Sequence, residues 1–558
     1  MNGASMGTPM PKTGTHRTSR ATGLLLAFAL VAAVLSTGAT ASAAPATASC
    51  DTRNNNTYEK LLECVTVAGA MRHLEAFQAI ADAHGDTRAA GTSGYDASAA
   101  YVADQLRAAG YVVELQAFEF PFFQELTPPV LRQLAPTAVD YVAGQDVVTM
   151  TYSGAGDVTA AVTAVDIPPT GLGSGCEAAD FAGFTAGTIA VIQRGGCNFS
   201  VKALNAQSAG AAGVVIFNQP AGAPAFAGTL GEPGLRIPVV GTSWDVGQQL
   251  IGATSVQLKT DTIAEIRTTH NVLAETPGGR ADNVVMVGAH LDSVIAGPGI
   301  NDNGSGSAAL IEVAQKLRKV DVENKVRFAW WGAEELGLIG SDYYVANLTD
   351  EERDDIALYL NFDMIASPNY VRFVYDGDGS AFGLAGPEGS AQIEALYEDF
   401  YASRGLAWEP TQISFRSDYA AFFDFGIPFG GLFTGAEGIK TVEEAAIYGG
   451  TVGEWYDPCY HQACDDIDNL SLEVFDLNLD AVAFSTLTYA YSTEDVNGEP
   501  GRRVPGKASS VFGSRVNAPA GAGQHTHSGG GGLHPERDPD HDDDHDHDHD
   551  HLYNRPAE

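Results

Sequence analysis

The sequence predicts an α/β protein: a mixed central β-sheet with helices on both faces, and a small β-rich domain inserted into the chain. Three observations predict it. After residue 263, apolar stretches of strand type (NVVMVGA, VRFAWWG, ALYLNFDM, GIPFGGLF) alternate with stretches of helical type (SAALIEVAQKLRKV, LIGSDYYVANL, AQIEALYEDFYASRG, LDAVAFSTLTYAY). Strands that are apolar along their whole length belong to sheets covered on both faces. From 141 to 262 the text changes to short β-branched runs rich in Gly and Pro (VTAAVTAV, GTIAVIQ, AGVVIFN, IPVVGTS), broken by one helix at 201–210. Ahead of both, GTSGYDASAAYVADQLRAAGYVVELQAFEF reads as a helix followed by a strand. Ala99, Tyr101, Val102, Leu106 and Ala109 form the helical stripe.

These patterns divide the chain into a larger domain of two segments (55–140 and 263–495), an insert (141–262) and two ends of different character. At the start, Lys12, Arg17 and Arg20 precede an apolar run from Gly23 to Leu35, and Ala41-Ser42-Ala43 offers small residues for cleavage. The run is shorter than the about 20 residues a membrane span needs. Residues 1–43 are therefore expected to be a secretory signal, cut near Ala43. At the far end, residues 496–558 form a Gly/Pro linker and a tail that alternates Asp with His. Such text cannot bury enough apolar surface to offset the entropy of ordering. Its imidazoles and carboxylates also suit loose binding of divalent metal.

Composition narrows the function. The chain has 558 residues, 70 of them acidic and 31 basic, for a net charge of −39. A chain of that charge repels nucleic acid and anionic lipid, which excludes nucleic acid and stable membrane association as partners. The six cysteines fall into three sequence-local couples: Cys50 with Cys64, Cys176 with Cys197, and Cys459 with Cys464. An exported chain can close three disulfides from them, in any of 15 pairings.

In open α/β sheets, ligand sites gather beyond the carboxyl ends of the strands. The polar residues of this sequence gather there too. His290 and Asp292 follow NVVMVGA, Glu334 and Glu335 follow VRFAWWG, and Asp363 ends ALYLNFD. Asp302 sits in the glycine-rich GINDNGSGSAA, and His461 in DPCYHQACDD. Imidazole and carboxylate without thiolate is the donor set of catalytic zinc, which needs three protein ligands and an open position. Adjacent glutamates in an extended segment point to opposite sides, so one can hold metal while the other faces substrate.

GAHLDSV, PGINDNGSGSAALIEVA, FAWWGAEELGLIGSDYYV, LYLNFDMI, FRSDYAAFFDFGIPFGGLFTGAE and DPCYHQACDDIDNL resemble the secreted di-zinc aminopeptidases of the leucine-preferring, aminopeptidase Y-like type. GTIAVIQRGGCNFSVKALNAQSAGAAGVVIFNQ resembles a protease-associated domain. The resemblance runs from about residue 55 to 493 and implies a zinc-peptidase (phosphorylase/hydrolase-like) fold for the larger domain. It also implies two Zn2+ per chain. His290 and Asp363 would hold one, Glu335 and His461 the other, and Asp302 would bridge them. Asp292 would accept the second ring N–H of His290. Glu334 would be the general base, Tyr460 the donor to the developing oxyanion, and Arg416 a residue near the substrate's amino end. The family pattern pairs Cys459 with Cys464 around His461. Peptide and protein N-termini are the substrates so implied. The same scaffold also carries carboxypeptidase-type enzymes and, where the ligands are lost, receptor-like binding proteins; the intact ligand set speaks against the latter.

Overall fold

The computed structural model describes residues 50–506. The expected signal and the His/Asp tail lie outside the described residues, apart from the first few of the linker. Helices α1 (Tyr58–Cys64), α2 (Val67–Ala83) and α3 (Ser93–Ala109) come first. Thr92 caps the start of α3 with its hydroxyl, and Gly110, in the left-handed conformation, ends it. There follow β1 (Val112–Ala135), β2 (Val139–Asp140), β3 (Val147–Thr149), β4 (Gly156–Ala160), β5 (Val162–Ala164) and β6 (Ile189–Gln193). Then come α4 (Phe199–Ser208), β7 (Gly213–Phe217), β8 (Val239–Thr242), α5 (Trp244–Leu250) and β9 (Ser255–Glu275). The last part runs through β10 (Arg280–His290), α6 (Gly306–Leu317), β11 (Asn324–Trp331), α7 (Ile339–Ala346), α8 (Asp350–Asp354), β12 (Ile356–Phe362) and β13 (Phe373–Tyr375). It ends with α9 (Ser390–Ser403), β14 (Glu409–Thr411), α10 (Tyr419–Asp424), β15 (Phe429–Phe433), α11 (Val442–Tyr448), α12 (Leu472–Tyr491) and the short α13 (Glu494–Asn497).

Ten strands form one mixed sheet in the order β14-β13-β15-β12-β10-β11-β9-β1-β2, with β4 paired to β9. Its centre, β11-β10-β12-β15, is parallel throughout, with His290 opposite Trp331 and Phe362 opposite Leu432. All four strands therefore end at one edge. Every residue of β12 is buried, as is β10 from Asn283 onward. Full burial of a Val, Leu or Phe contributes about 1.5–3 kcal/mol, so this apolar centre fixes where the strands end. Helices α2, α3, α6, α9 and α12 pack one face around Leu74, Val102, Leu310 and Phe484, while α7 and α10 cover the other around Trp331 and Phe422. Trp330 and Trp331 are buried packing residues.

Strands β1 and β9 pair along nearly their whole length, from Val112–Glu275 to Ala135–Ser255. One end lies in the large sheet against β11. The other end packs Leu131, Val256 and Leu258 against a second, five-stranded sheet of order β3-β8-β7-β6-β5. Alternate residues of β6 face opposite ways: Ala190 and Ile192 share a core with Ala203 and Ala206 of α4, and Ile189 and Val191 share one with Val246 and Leu250 of α5. The stretch VTAAVTAV is not a single strand. Its first half, as β4, pairs with β9, and its second half, as β5, pairs with β6. The three disulfides join Cys50 to Cys64, Cys176 to Cys197 and Cys459 to Cys464. Among the described residues, no helix is long and apolar enough to cross a membrane.

Candidate metal centre

The parallel strands deliver their polar ends to one place. His290 closes β10, Asp363 follows β12 directly, and Glu334 and Glu335 lie in a bend just after β11. The glutamates are thus not in extended backbone, and Ala333 before them has a positive φ of 59°. They still diverge. Glu334 Oε2 lies 3.9 Å from His290 Nε2, whereas Glu335 Oε2 lies 2.9 Å from His461 Nε2. Asp302 stands between, with Oδ1 3.2 Å from His290 Nε2 and Oδ2 3.3 Å from His461 Nε2. Asp363 Oδ1 is 3.3 Å from His290 Nε2. Two clusters result, His290–Asp302–Asp363 and Asp302–Glu335–His461, each with ligand atoms within 4.8 Å of one another.

Asp292 is buried beneath this arrangement. Its backbone carbonyl oxygen lies 3.1 Å from His290 Nδ1, with the nearer carboxylate oxygen at 3.7 Å. The carboxylate itself accepts the backbone N–H groups of Glu334 and Glu335, at 3.2 and 3.3 Å. One residue thus fixes both the imidazole and the bend that carries the glutamates.

Asp302 is placed by an irregular turn, Ile300–Ser305, at the head of α6. Gly299, at φ +61°, opens the turn; a Cβ there would lie 2.4 Å from the Asp302 carbonyl oxygen. Asp465 accepts the backbone N–H groups of Asn301 and Asp302, at 2.8 and 3.0 Å. Arg88, fully buried, donates to the carbonyl oxygens of Pro298 (2.7 Å), Gly299 (2.5 Å) and Leu291, clamping the connection between His290 and Asp302. Burial lowers its pKa to about 10. His461 has a positive φ of 57° in the six-residue loop closed by Cys459–Cys464, and its ring stacks on Tyr460 at 3.8 Å. Arg416 donates from Nη1 to Glu437 Oε1 (2.5 Å) and from Nη2 to the Tyr460 hydroxyl oxygen (3.1 Å).

The electrostatics are those of a site built for cations. Burial pushes the Glu334 pKa well above its ordinary value, and Glu335 to about 7. Burial would depress both imidazoles, but Asp363 and Glu334 push His290 well above its usual pKa, and Glu335 and Asp302 push His461 up to about 11. Asp302 moves the other way: burial opposes its ionisation, and the two imidazoles overcome that and hold it ionised. Four buried or nearly buried carboxylates stand against two imidazoles. Glu335 Oε1 is buried without a hydrogen-bond partner among the described residues. Unpaired buried carboxylate is costly unless a cation meets it. The donor set therefore fits zinc in two adjoining positions.

Arg88, Asp465 and Asp418 escaped the sequence reading. Asp418, fully buried and pushed to about 8 by burial, sits within the field of His290, Asp363 and Asp292. It lies in the quoted FRSDY, two residues past Arg416, and nothing in its local pattern marks it. A third acidic group, Asp376, Asp378 and Glu394, contains no imidazole; Asp376 and Glu394 already accept backbone N–H groups.

Carboxylates and imidazoles held at the ends of parallel strands, in two clusters with one shared acid, define a scaffold for metal-assisted hydrolysis. The chain belongs to peptidase family M28. Residues 271–486 match that family and residues 158–250 match the PA domain, which lies within the M28 fold. The chain is 50% identical over 456 residues to a Pseudomonas aeruginosa protein named aminopeptidase, covering 79% of this chain and 84% of the relative. It is 48% identical over 360 residues to a probable leucine aminopeptidase 2 of Aspergillus fumigatus, covering 63% and 70%. Among solved structures it resembles the aminopeptidase of Aneurinibacillus sp. strain AM-1, with TM-score 0.54, 28% identity and coverage of 78% and 97%. It also resembles BSAP, a zinc aminopeptidase from Bacillus subtilis, with TM-score 0.51, 26% identity and coverage of 75% and 94%.

Proposed function

We propose that the protein is a secreted aminopeptidase that uses two zinc ions to remove the N-terminal residue from peptides. One observation carries the reading: two ligand clusters share Asp302, and the carboxylate of Glu334 stands beside them without belonging to either. In this reading His290, Asp363 and Asp302 hold one ion, and Glu335, His461 and Asp302 the other. Bound zinc supplies Lewis acidity, which makes water more acidic and a carbonyl more electrophilic.

The protein's own groups do the rest. Glu334, kept basic enough by burial, takes the proton of the attacking water and returns it to the leaving amine. Tyr460 keeps its phenol proton, because burial and the nearby Asp302 and Glu335 raise its pKa, and donates it as a hydrogen bond to the developing oxyanion. Asp292 holds His290 and the glutamate bend in register. In this reading Arg416, half-exposed beside Tyr460, stands near the substrate's amino end. Its guanidinium is occupied by Glu437 and Tyr460, which argues against a site for a peptide's C-terminal carboxylate and so against the carboxypeptidase alternative. The six paired cysteines agree with an exported chain.

Hydrolysis of Leu-p-nitroanilide against an N-blocked peptide tests the specificity: cleavage of the first alone is expected. Glu334→Gln should keep its zinc yet lose about 10²–10⁴-fold in kcat. A variant with full turnover would end the assignment of Glu334 as base.

A further inference from the structure

A phenol whose task is to donate to an oxyanion has a difficulty in this site. The Tyr460 hydroxyl has one proton and sits within the field of three carboxylates, those of Asp302, Glu335 and Glu437. Any carboxylate that reached the hydroxyl would accept that proton and turn it away from substrate, since a charged acceptor makes the stronger bond. Asp302 and Glu335 are drawn to imidazoles, at 3.3 and 2.9 Å from His461 Nε2. Glu437 is not a metal-ligand candidate; it lies between β15 and α11. Its Oε1 is engaged by Arg416 Nη1 at 2.5 Å. The same guanidinium, through Nη2, donates to the phenol oxygen at 3.1 Å.

We propose that Glu437 is a positioning residue: its carboxylate fixes the Arg416 guanidinium so that one edge occupies the lone pair of the Tyr460 oxygen and the phenol proton is left for the oxyanion. The inference rests on Tyr460 being the oxyanion donor of the reading above. Guanidinium geometry suits the task. Its N–H groups form a rigid planar fork, so fixing one edge on Glu437 fixes the other edge on the phenol. Arginine has no acceptor, so the bond to Tyr460 runs only from nitrogen to oxygen, and the phenol cannot donate back. Lysine at 416 would supply the charge without the fork. The assembly is half-exposed, so it acts by orientation and not as a buried ion pair.

Four variants test the proposal: Glu437→Ala, Glu437→Asp, Tyr460→Phe, and Glu437→Ala combined with Tyr460→Phe. Each is measured for kcat, KM and zinc content. Glu437→Ala is expected to keep its zinc, to change KM by less than about twofold, and to lose about tenfold in kcat, within the about 10² that a misplaced group can cost. Glu437→Asp should recover part of that loss. In the Tyr460→Phe background the Glu437→Ala change should cost nothing further, because there is no phenol left to aim. An unchanged kcat in Glu437→Ala would overturn the proposal, and so would the same tenfold loss in both backgrounds, which marks a structural role. Should Tyr460→Phe itself keep full kcat, the oxyanion assignment falls and the proposal with it. Glu334→Gln reports separately on whether the hydrolytic reading stands.

Discussion

The two ligand clusters share Asp302 and are otherwise built by different means. The deep one takes His290 from the end of β10 and Asp363 from the end of β12, neighbouring strands of the parallel centre, and both residues are more than nine-tenths buried. Ser417 Oγ donates to Asp363 Oδ2 at 2.6 Å, and Asp292 lies against the His290 ring. The shallow one takes Glu335 from a bend and His461 from a disulfide-closed loop, and the His461 side chain is 37% exposed. One cluster is held by sheet register and the other by a covalent staple, so they should respond differently to the same perturbation. A ligand set that the fold orders in advance loses less entropy when it binds.

The largest effect expected is at the carboxylate they share. Asp302→Ala should abolish activity and leave the protein without tightly held zinc, measured as metal per chain by elemental analysis after dialysis. If one ion stayed at full occupancy, Asp302 would not serve both clusters. Splitting the pair comes next. His290→Ala should lose the deep ion and nearly all turnover, whereas His461→Ala should lose only the shallow one, with about one zinc per chain retained. Loss of both ions from His461→Ala would show that the clusters are not separable as drawn.

A smaller effect tests the staple. Replacing Cys459 and Cys464 together by serine removes the closure that holds His461 at positive φ, a conformation costly to a residue with a side chain. The shallow zinc should then bind about 10–100-fold more weakly, as when an outer support of a ligand is removed, and the deep zinc should be unaffected. Titration with a graded series of chelators reads both affinities. A uniform loss at both positions would mean that the loop supports the whole centre.

The legibility of the sequence follows the same division. His290 and Asp363 of the deep cluster stood out because they end strands that are apolar throughout, and β10, α6, β11 and β12 fall on the stretches expected to be strand and helix. Asp292 and the Cys459–Cys464 pair were named from the sequence, but the supports that reach across the chain were not legible. Arg88 is an ordinary arginine between Thr87 and Ala89, and only the fold brings it to carbonyl groups more than 200 residues away. Asp465 lies one residue past Cys464 in a run of acids, and its bonds to Asn301 and Asp302 again span the chain. Short edge strands such as β13 and β14, three residues each, are set by pairing and not by periodicity. In the insert, the alternation of VTAAVTAV marked strand, but only tertiary pairing decides that its two halves join different sheets.

The least effect on activity, and a direct probe of the deep cluster's scaffold, comes from His73 on α2, which packs against α6 below the Asp302 turn. His73 is buried, with Nδ1 2.7 Å from the Tyr101 hydroxyl oxygen, and burial, assisted by Arg72 and Lys316, lowers its pKa from 6.5 to about 4. The unfolded chain therefore binds a proton at this residue between about pH 6.5 and 4, and the folded chain does not. Stability must fall as the pH drops through that window, by roughly 2 kcal/mol at pH 4.5 if the whole shift is realised. Glu312 of α6, which faces the same contact, works in the opposite sense: burial raises its pKa, so the folded chain takes up the proton first and gains stability on acidification. The informative quantity is the difference between wild type and His73→Gln. At pH 7 the variant should match wild-type kcat, and toward pH 4.5 its melting temperature should fall less steeply. Parallel melting curves for the two proteins across that range would remove His73 as a source of acid sensitivity and leave the support of the deep cluster to Arg88 and Asp465.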